Sequence, residues 1–390
     1  MYELERGDYA RVRALYKEWG HYLSVSAVLD GRCPGKVWAD DLSEPRTGLL
    51  WEFAEGELFL AGPGADEALS RSLNRCILER VYAEAREMPH LSEFTLYCEP
   101  LAWEGQLDIV LRDTHPMMHH RKCFALKKLR ADWRGMIPEG FVLTEIDGEL
   151  FSRTDLANHD VMAEWVLGLW RTPEDYQEQD IGTCLLHDNE VVSWCASEFT
   201  SLPARACEVG IYTSEAYRRQ GFATLTAAAT VERCLERGIE HIGWHCWSRN
   251  VASAATARKV GFELVAEHRV YNACFNRFDN HLLQAHYHRQ ADQVREALAA
   301  WEQGFAMWEA GDREARCSPH FAQHTDAIGW CYYAAGRVRA QLGEPHAALR
   351  YLHKAIDNRW ADAERLARDE ALVTLRQAPG WEALRARIDE

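Results

Sequence analysis

A helix that begins directly after two arginines and a glycine most constrains the fold of this chain. An apolar strand pattern from Val209 to Thr213 passes through a short polar turn into Arg218-x-x-Gly221-x-Ala223, and a long helical pattern follows. The first N–H groups of a helix lack backbone partners and carry partial positive charge, so such a helix start holds phosphate well. A glycine there lets the backbone approach a ligand closely. The stretch indicates a phosphate-binding loop, but an ordinary helix start with solvated arginines has the same pattern.

A second segment follows that helix. A strand pattern ends in WSRN, and the helical pattern NVASAATARKV leads to Gly261-Phe262. Together the two segments resemble the Gcn5-related N-acetyltransferase (GNAT) superfamily, which carries Arg/Gln-x-x-Gly-x-Gly/Ala after its fourth strand and asparagine after its fifth. The resemblance is closer still to one bacterial subgroup, and it covers Phe141 to Asn272 well and residues 30–130 more loosely. The residues that carry it in the second segment are Trp244, Cys246, Asn250, Ser253, Ala257 and Gly261.

The resemblance implies a fold and a cosubstrate. The fold is α+β, with a mixed, mostly antiparallel sheet whose central strands splay apart and are flanked by helices. Acetyl-CoA would lie in the cleft between the splayed strands, without a metal. Its pantetheine arm would pair with strand backbone as an added strand does. The residues implied are Ile211, Tyr212 and Thr213 for the arm, Arg218, Arg219, Gln220, Gly221, Phe222, Ala223 and Thr224 for the phosphates, and Asn250 and Ser253 on the opposite side.

The implied activity is transfer of an acetyl group to a primary amine, on a small molecule or a protein lysine. Neutralising a lysine-like amine at pH 7 costs about 4 to 5 kcal/mol, and a general base recovers much of this. The superfamily often carries its base in the strand before the signature, where this chain has Glu208. Glu198 and His245 are the second and third candidates, and a solvent-facing carboxylate is the structural alternative for Glu208.

One position departs from the family pattern. Many members place a tyrosine seven residues after the asparagine, as general acid for the departing thiolate, whereas this chain has Ala257. With a thiol pKa near 8.5, losing the acid costs about 2 kcal/mol at pH 7, so water, Tyr212 or Tyr271 could assist. The departure keeps open a second class of function, a non-catalytic acyl-CoA-binding or protein-interaction module that uses the C-terminal helices.

The patterns predict three domains. They are an N-terminal α+β domain over 1–130, a catalytic N-acetyltransferase domain over 138–280 and an all-helical domain over 284–390. In the first, strand ELFLAG, turn GPGAD, a long helix and strand FTLYC repeat the strand–loop–helix–strand order of the signature, and QLDIVLRD predicts a further strand. This order is typical of a degenerate GNAT-like copy without the phosphate-binding arginine, or of an unrelated α+β domain.

The C-terminal pattern is that of paired helices with small residues where they cross. It resembles the tetratricopeptide (TPR) repeat, with Tyr332 at the usual tryptophan position. The small and apolar positions that fit are Gly336, Gly343, Ala348, Leu352 and Ala355. Helical repeats present a concave surface to proteins or peptides. One or two repeats are too few for a full groove, so a homodimer or packing on the catalytic domain is an equal alternative to a protein partner.

The net charge of the chain limits the classes of partner it can bind. With 44 basic and 60 acidic residues the net charge is −16, which argues against nucleic acid and favours a cationic amine acceptor. The segment EWVLGLWRTPEDYQEQD would lie over the acceptor end of the cleft, unless it is a solvated amphipathic helix with two core tryptophans. Its residues suited to a cation by charge and ring contact are Trp165, Trp170, Glu174, Asp175 and Glu178.

Cysteine and apolar patterns bound the compartment. Twelve scattered cysteines without CxxC or CxxH pairs predict buried thiols in a reducing compartment, and no apolar run reaches membrane-spanning length. We therefore expect a cytoplasmic protein without a membrane partner. His115, His119 and His120 beside two methionines would suit a metal, but their Pro-containing segment without carboxylate or thiol predicts a solvated linker.

Overall fold

The computed structural model describes residues 1–64, 66–168, 172–311 and 327–389. The strands of these residues are β1 (Tyr2–Glu3), β2 (Gly35–Ala39), β3 (Gly48–Glu52), β4 (Glu57–Ala61), β5 (Glu93–Cys98), β6 (Met117–Leu126), β7 (Val142–Glu145), β8 (Gly182–His187), β9 (Glu190–Ser201), β10 (Ala206–Thr213), β11 (His241–Trp247) and β12 (Phe262–Cys274). They form one sheet in the order β1-β2-β3-β4-β5-β12-β6-β11-β10-β9-β8-β7.

The α-helices of the same residues alternate with these strands and then continue alone to the C-terminus. They are α1 (Leu23–Leu29), α2 (Glu67–Cys76), α3 (Tyr82–Ala85), α4 (Pro100–Trp103), α5 (Leu107–Val110), α6 (Gly148–Ser152), α7 (His159–Leu167), α8 (Pro173–Gln179), α9 (Phe222–Glu236), α10 (Val251–Val260), α11 (Arg277–Gln290), α12 (Val294–Glu309), α13 (Ala327–Gln341), α14 (Pro345–Asp357), α15 (Ala363–Arg368) and α16 (Trp381–Asp389). None of these helices combines the length and apolar composition that a membrane crossing requires.

The sheet is mixed, as predicted. Strands β4 and β5 pair in parallel, as do β10 and β11. Antiparallel ladders join β1 to β2, β2 to β3, β3 to β4, β6 to β11, and β7 through β8 and β9 to β10. The predicted α+β class with an all-helical C-terminal region is confirmed.

A two-residue turn joins two neighbouring strands of the sheet. Asp188 and Asn189 connect β8 to β9, and their φ values of 47° and 59° lie in the left-handed region. A two-residue turn with both φ values positive matches the twist of the flanking strands, and Asp and Asn tolerate it well. These two residues therefore form the tight turn of a β8–β9 hairpin, in which His187 pairs with Glu190.

Two local predictions were wrong. QLDIVLRD forms the short helix α5, in which Val110 is buried, instead of a strand. Periodicity alone does not separate a strand from a helix in so short an apolar run. His119 and His120 belong to strand β6 and not to a linker, and His119 Nδ1 lies 3.2 Å from the Arg249 guanidinium.

One compact unit comprises Met1–Val81, Thr95–Arg112 and Met118–Asn272. Helix α9 packs Ala227, Ala228 and Val231 against Cys207 and Trp244 of the sheet. Helix α2 connects the parallel pair β4 and β5 as α9 connects the parallel pair β10 and β11. This common order supports the degenerate copy, which stays a prediction.

The other compact unit comprises Tyr82–Phe94, Asp113–Met117 and Ala273–Glu390. Its core includes residues of the successive helices α11, α12, α13 and α14. An ideal Cβ on Gly336 would lie 3.0 Å from Leu352, so the predicted small residue does stand where α13 and α14 touch. Asn280 donates to the carbonyls of Thr114 and His115, which ties an early segment to this unit. The TPR interpretation and the boundaries 1–130, 138–280 and 284–390 stay predictions, since a compact unit is defined by contacts and not by independent folding.

Eleven cysteines lie in the described part of the chain, and all are buried free thiols. Burial raises the pKa of several of them, among them Cys184 and Cys123, each to about 12. A thiol of raised pKa is protonated at neutral pH and therefore a poor nucleophile. The expectation of buried thiols is thus confirmed for these eleven cysteines, and Cys317 lies outside the described residues.

Candidate active site

The sheet forks between β10 and β11. The ladder between them runs only from Ala206↔His241 to Glu208↔Gly243. Beyond it, β10 stays paired with β9 as far as Thr213, and β11 stays paired with β6 as far as Trp247. The facing edges of β10 and β11 therefore diverge, as expected for splayed central strands. A cavity of about 230 Å³ lies in this fork and is lined by residues of both strands.

Glu208 and His245 stand together at the cavity. Glu208 Oε2 lies 3.2 Å from His245 Nδ1, and the two side chains are only 10% and 8% exposed. Glu208 Oε1 accepts a hydrogen bond of 2.5 Å from the backbone N–H of Leu23, at the start of α1. The ring of Tyr22 contacts that of His245, with the centroids 4.5 Å apart. Both oxygens of Glu208 are thus engaged, and its bond to Nδ1 leaves Nε2 of His245 as the basic nitrogen.

Carboxylates dominate the polar wall of the cavity. Glu198 is the cross-strand partner of Glu208, and both line the cavity. Glu55 and Glu57 line it from the other half of the sheet, together with Arg121. Four carboxylic side chains and one guanidinium line the cavity, so its polar wall is predominantly acidic.

Glu57 is held by three different interactions. It accepts from the Tyr97 hydroxyl at 2.7 Å and from the Ser24 hydroxyl at 3.4 Å, and it lies 3.5 Å from the Arg121 guanidinium. Burial, followed by the charge of Glu55, raises the pKa of Glu57 to about 7. Glu57 can therefore exchange a proton near neutral pH.

The sequence patterns did not predict that Glu55, Glu57 and Arg121 line this cavity. Glu55 lies in the turn between β3 and β4, Glu57 begins β4, and Arg121 lies in the long strand β6, all without any recognisable motif. Only the order β12-β6-β11 brings Arg121 next to the fork. A sequence signal for these residues would have required knowledge of the strand order.

Trp165 is one of the aromatic residues that line the cavity. Its ring lies against Gly210, where an ideal Cβ would clash with the ring and lie 2.6 Å from Glu198 Oε1. Only a glycine leaves room for a ring on this part of β10. Trp165 is 37% exposed and lines the cavity, and its position at the acceptor end stays a prediction.

The other residues proposed with Trp165 are not found at the cavity. Trp170 lies outside the described residues. Glu174, Asp175 and Glu178 belong to α8, and none is among the described residues that line the cavity. Asp175 instead forms a capping box with Thr172 at the start of α8.

The predicted phosphate loop is an uncapped helix start. Gly221, the N-cap of α9, has a φ of 91° and offers no side chain to the helix. No side chain caps the first N–H groups of α9, although the Thr224 N–H already donates to the Gly221 carbonyl at 2.9 Å. An uncapped helix start of this kind suits phosphate binding. Arg218, Arg219 and Gln220 are exposed beside it, and Arg218 Nε donates to the Thr213 carbonyl at 3.1 Å. The donor set fits a pyrophosphate.

The predicted residues on the opposite side have structural partners as well. Asn250 and Ser253 line the cavity, but Asn250 Oδ1 caps α10 by accepting from the Ser253 N–H at 3.0 Å. Ser253 Oγ accepts from the Trp244 indole at 2.9 Å. Both residues therefore shape the fork whether or not they touch a ligand.

Ala257, at the position where many family members carry the general-acid tyrosine, does not face the cavity. Ala257 is fully buried in the core beneath α10. Tyr212, one of the proposed substitutes, stacks on Trp194 with the centroids 4.3 Å apart. Neither Tyr212 nor Tyr271 is among the described residues that line the cavity. Which group protonates a departing thiolate, among water, Tyr212 and Tyr271, stays a prediction.

The fork, the uncapped helix and the acidic cavity define an α+β protein with its ligand site between two diverging parallel strands. The family model described as GNAT acetyltransferase matches residues 13–271, about two thirds of the chain. The chain therefore belongs to the GNAT acetyltransferase family and is an acyltransferase.

Two relatives illustrate the similarity. The chain is 29% identical over 269 residues to the uncharacterized N-acetyltransferase YdfB of Bacillus subtilis (strain 168). The matched residues make up 69% of this chain and 97% of YdfB. A GCN5-related N-acetyltransferase-like protein from Streptococcus suis 89/1591 matches with a TM-score of 0.51 at 23% identity, over 69% of this chain and 98% of that one. The similarity to the Streptococcus suis structure shows a shared fold. Together with the family match, these findings confirm the resemblance drawn from the signature segments.

Proposed function

We propose that this enzyme transfers an acetyl group from acetyl-CoA to a cationic primary amine, with Glu208 and His245 acting as one proton-accepting unit. The observation that carries the proposal is the Glu208–His245 pair at the cavity in the fork of β10 and β11. A buried imidazole with a carboxylate on one nitrogen and a basic lone pair on the other is a standard general base. Glu208, the base proposed from the sequence, then acts through His245.

The cosubstrate would use the predicted residues. The diverging edge of β10 at Ile211, Tyr212 and Thr213 suits the amide groups of the pantetheine arm. The uncapped start of α9, from Arg218 to Thr224, suits the pyrophosphate. Acetyl-CoA would supply an activated thioester carbonyl, and a backbone N–H near Ile211 would stabilise the negative charge that develops on its oxygen.

The chain's own residues would manage the proton of the amine. His245 Nε2 would accept it, and Glu208 would stabilise the resulting imidazolium through Nδ1. The hydrogen bond from Leu23 fixes the carboxylate while this happens. The neutral amine could then attack without the cost of about 4 to 5 kcal/mol for deprotonation in water at pH 7.

The acceptor would be selected by charge and ring contact. Glu55, Glu57 and Glu198 attract an ammonium group, and Trp165 offers its face to one. A cationic amine also agrees with the net charge of −16. We include a cytoplasmic location and a protein partner or second copy at the helical tail in this proposal, supported by the buried free thiols and the paired helices α11 to α14.

The test is thiol release from acetyl-CoA with a panel of amines: a monoamine, a diamine, a triamine, an amino sugar and a lysine peptide. We expect turnover with at least one cationic amine, and the acetylated product should appear in equal amount by mass spectrometry. Saturable acetyl-CoA binding without turnover on any amine would contradict the proposal and favour the non-catalytic module.

A further inference from the structure

Three side chains of metal-binding type meet in the first compact unit, and we propose that they form a zinc site. They are His21 just before α1, Cys123 in β6 and His268 in β12. One ligand atom from each lies within 4.8 Å of the other two. The sequence separation of the two histidines is 247 residues, so their meeting is a product of the tertiary fold.

The two imidazoles face each other. Their Nε2 atoms are 2.8 Å apart, and their rings are inclined by only 15° with centroids 4.8 Å apart. One ring must donate and the other accept, because two N–H groups cannot face each other at this distance. The arrangement therefore places a lone pair of one ring on the N–H of the other. When the donor ring carries its proton on Nδ1 instead, both Nε2 lone pairs are available to a cation.

The dimensions suit zinc after a small movement. Zinc binds histidine nitrogen at about 2.0–2.1 Å and cysteine sulfur at about 2.3 Å, in a tetrahedron. Tetrahedral geometry at these lengths needs nitrogen–nitrogen separations of about 3.3 Å and nitrogen–sulfur separations of about 3.6 Å. The histidines must open by about half an ångström and Cys123 must approach by up to about one ångström, which side-chain rotations can supply.

The ligand types select the metal. Two imidazoles and one thiol suit zinc, whereas calcium and magnesium require oxygen ligands. Cys123 is buried and donates to the Tyr22 hydroxyl at 3.1 Å, and the two histidines are partly exposed. A metal can thus enter past the imidazoles, displace the thiol proton to solvent and keep a water molecule as fourth ligand.

The site would brace the proposed catalytic pair. His21 is followed by Tyr22, whose ring contacts His245, and by Leu23, whose N–H donates to Glu208. A metal on His21 would restrict the segment that holds both groups. This consequence rests on the proposed function, whereas the zinc site itself does not.

The test uses the full chain, stripped of metal and titrated with Zn²⁺ against a competing chelator. We expect one zinc ion per chain. His21→Gln, His268→Gln and Cys123→Ser should each weaken binding by at least about 10- to 100-fold, the loss typical of mutating outer-shell partners of metal sites. The matched controls are His241→Gln, an exposed histidine, and Cys184→Ser, a buried strand cysteine, and both should keep the wild-type affinity.

Cobalt gives a second readout that is independent of activity. Co²⁺ should produce a thiolate-to-metal absorption band in the wild type and in Cys184→Ser, but not in Cys123→Ser. The site would be ruled out by absent zinc binding, by unchanged affinity in the two histidine variants, or by a cobalt band that persists in Cys123→Ser. Failure of acetyl transfer alone would leave these metal measurements unaffected, so the two proposals fail separately.

Discussion

Glu208 joins His245 to the start of helix α1, because one carboxylate oxygen lies 3.2 Å from His245 Nδ1 and the other accepts from the Leu23 N–H at 2.5 Å. Leu23 and Glu208 are 185 residues apart in sequence. A carboxylate held at both oxygens orients its partner better than it abstracts protons itself, and for this reason we propose His245 Nε2 as the base.

Removing the imidazole should therefore abolish most turnover. For His245→Ala we expect kcat to fall by about 10²- to 10⁴-fold, the usual contribution of a general base, with acetyl-CoA affinity unchanged. His241→Ala, an exposed histidine on the same strand, is the matched control and should keep the wild-type rate. Steady-state kinetics and calorimetry provide the two readouts. Equal rates for the two variants would remove His245 from the mechanism.

Glu208→Gln should give a pH-dependent defect. At neutral pH kcat should fall, because an amide stabilises the imidazolium less than a carboxylate does. As pH rises toward the pKa of the amine, solvent supplies neutral amine and the defect should shrink. A pH–rate profile from about pH 6 to 10 tests this, with Glu198→Gln as the comparison. If the shrinking defect belongs to Glu198→Gln instead, Glu198 is the base.

Gly221→Val should weaken CoA binding, whereas a similarly strained glycine elsewhere should affect stability only. Valine strains a backbone at φ 91°, at a cost of about 1–3 kcal/mol, and its branches obstruct the start of α9. We expect CoA affinity to fall at least about tenfold by calorimetry. Gly238→Val, with φ 83° at the other end of α9, carries similar strain and should lower the Tm alone. Equal CoA affinity in both variants would show that the loop does not hold the cosubstrate.

Trp165 should act on the acceptor and not on acetyl-CoA. A cation–π contact contributes about 0.5–2 kcal/mol, so Trp165→Ala should raise the amine KM by about 2- to 30-fold and leave the acetyl-CoA KM unchanged. Trp165→Phe keeps a ring and should have a smaller effect. Bisubstrate kinetics distinguish the two constants. A larger change in the acetyl-CoA KM would place Trp165 on the wrong side of the fork.

Buried Glu52 should make stability fall as pH rises. Burial, then the charge of Glu57, raises its pKa from 4.5 to about 8. Between these values the unfolded state releases its proton and the folded state keeps it, so the free energy of unfolding decreases by about 1.4 kcal/mol per pH unit from this group. The full contribution is present below pH 4.5 and is lost above pH 8.

Glu52→Gln isolates that contribution. The difference in unfolding free energy between wild type and variant, from denaturant titrations across this pH range, should decline as pH rises and level off beyond both ends. A difference that is constant with pH would show that Glu52 is ionised in the folded protein.

The sequence by itself determined the elements whose signals are local. The strand, loop and helix around Gly221, the turn at Asp188 and Asn189, and the helix capped by Asn250 follow from periodicity, capping and turn chemistry within short windows. Family motifs in the same windows gave the predicted cosubstrate loop. The short run QLDIVLRD failed because a window of that length does not distinguish a helix from a strand.

Only the tertiary structure decided which distant residues meet at the fork. Glu57 and Arg121 reach the cavity, and Leu23 reaches Glu208, because β6 and β12 lie between the two halves of the sheet. The pairing of His21 with His268 has the same origin. Local patterns carry no record of strand order, since the contacts that set it join residues far apart in sequence. The loop could therefore be found from the sequence, whereas the acidic wall and the histidine pair required the fold.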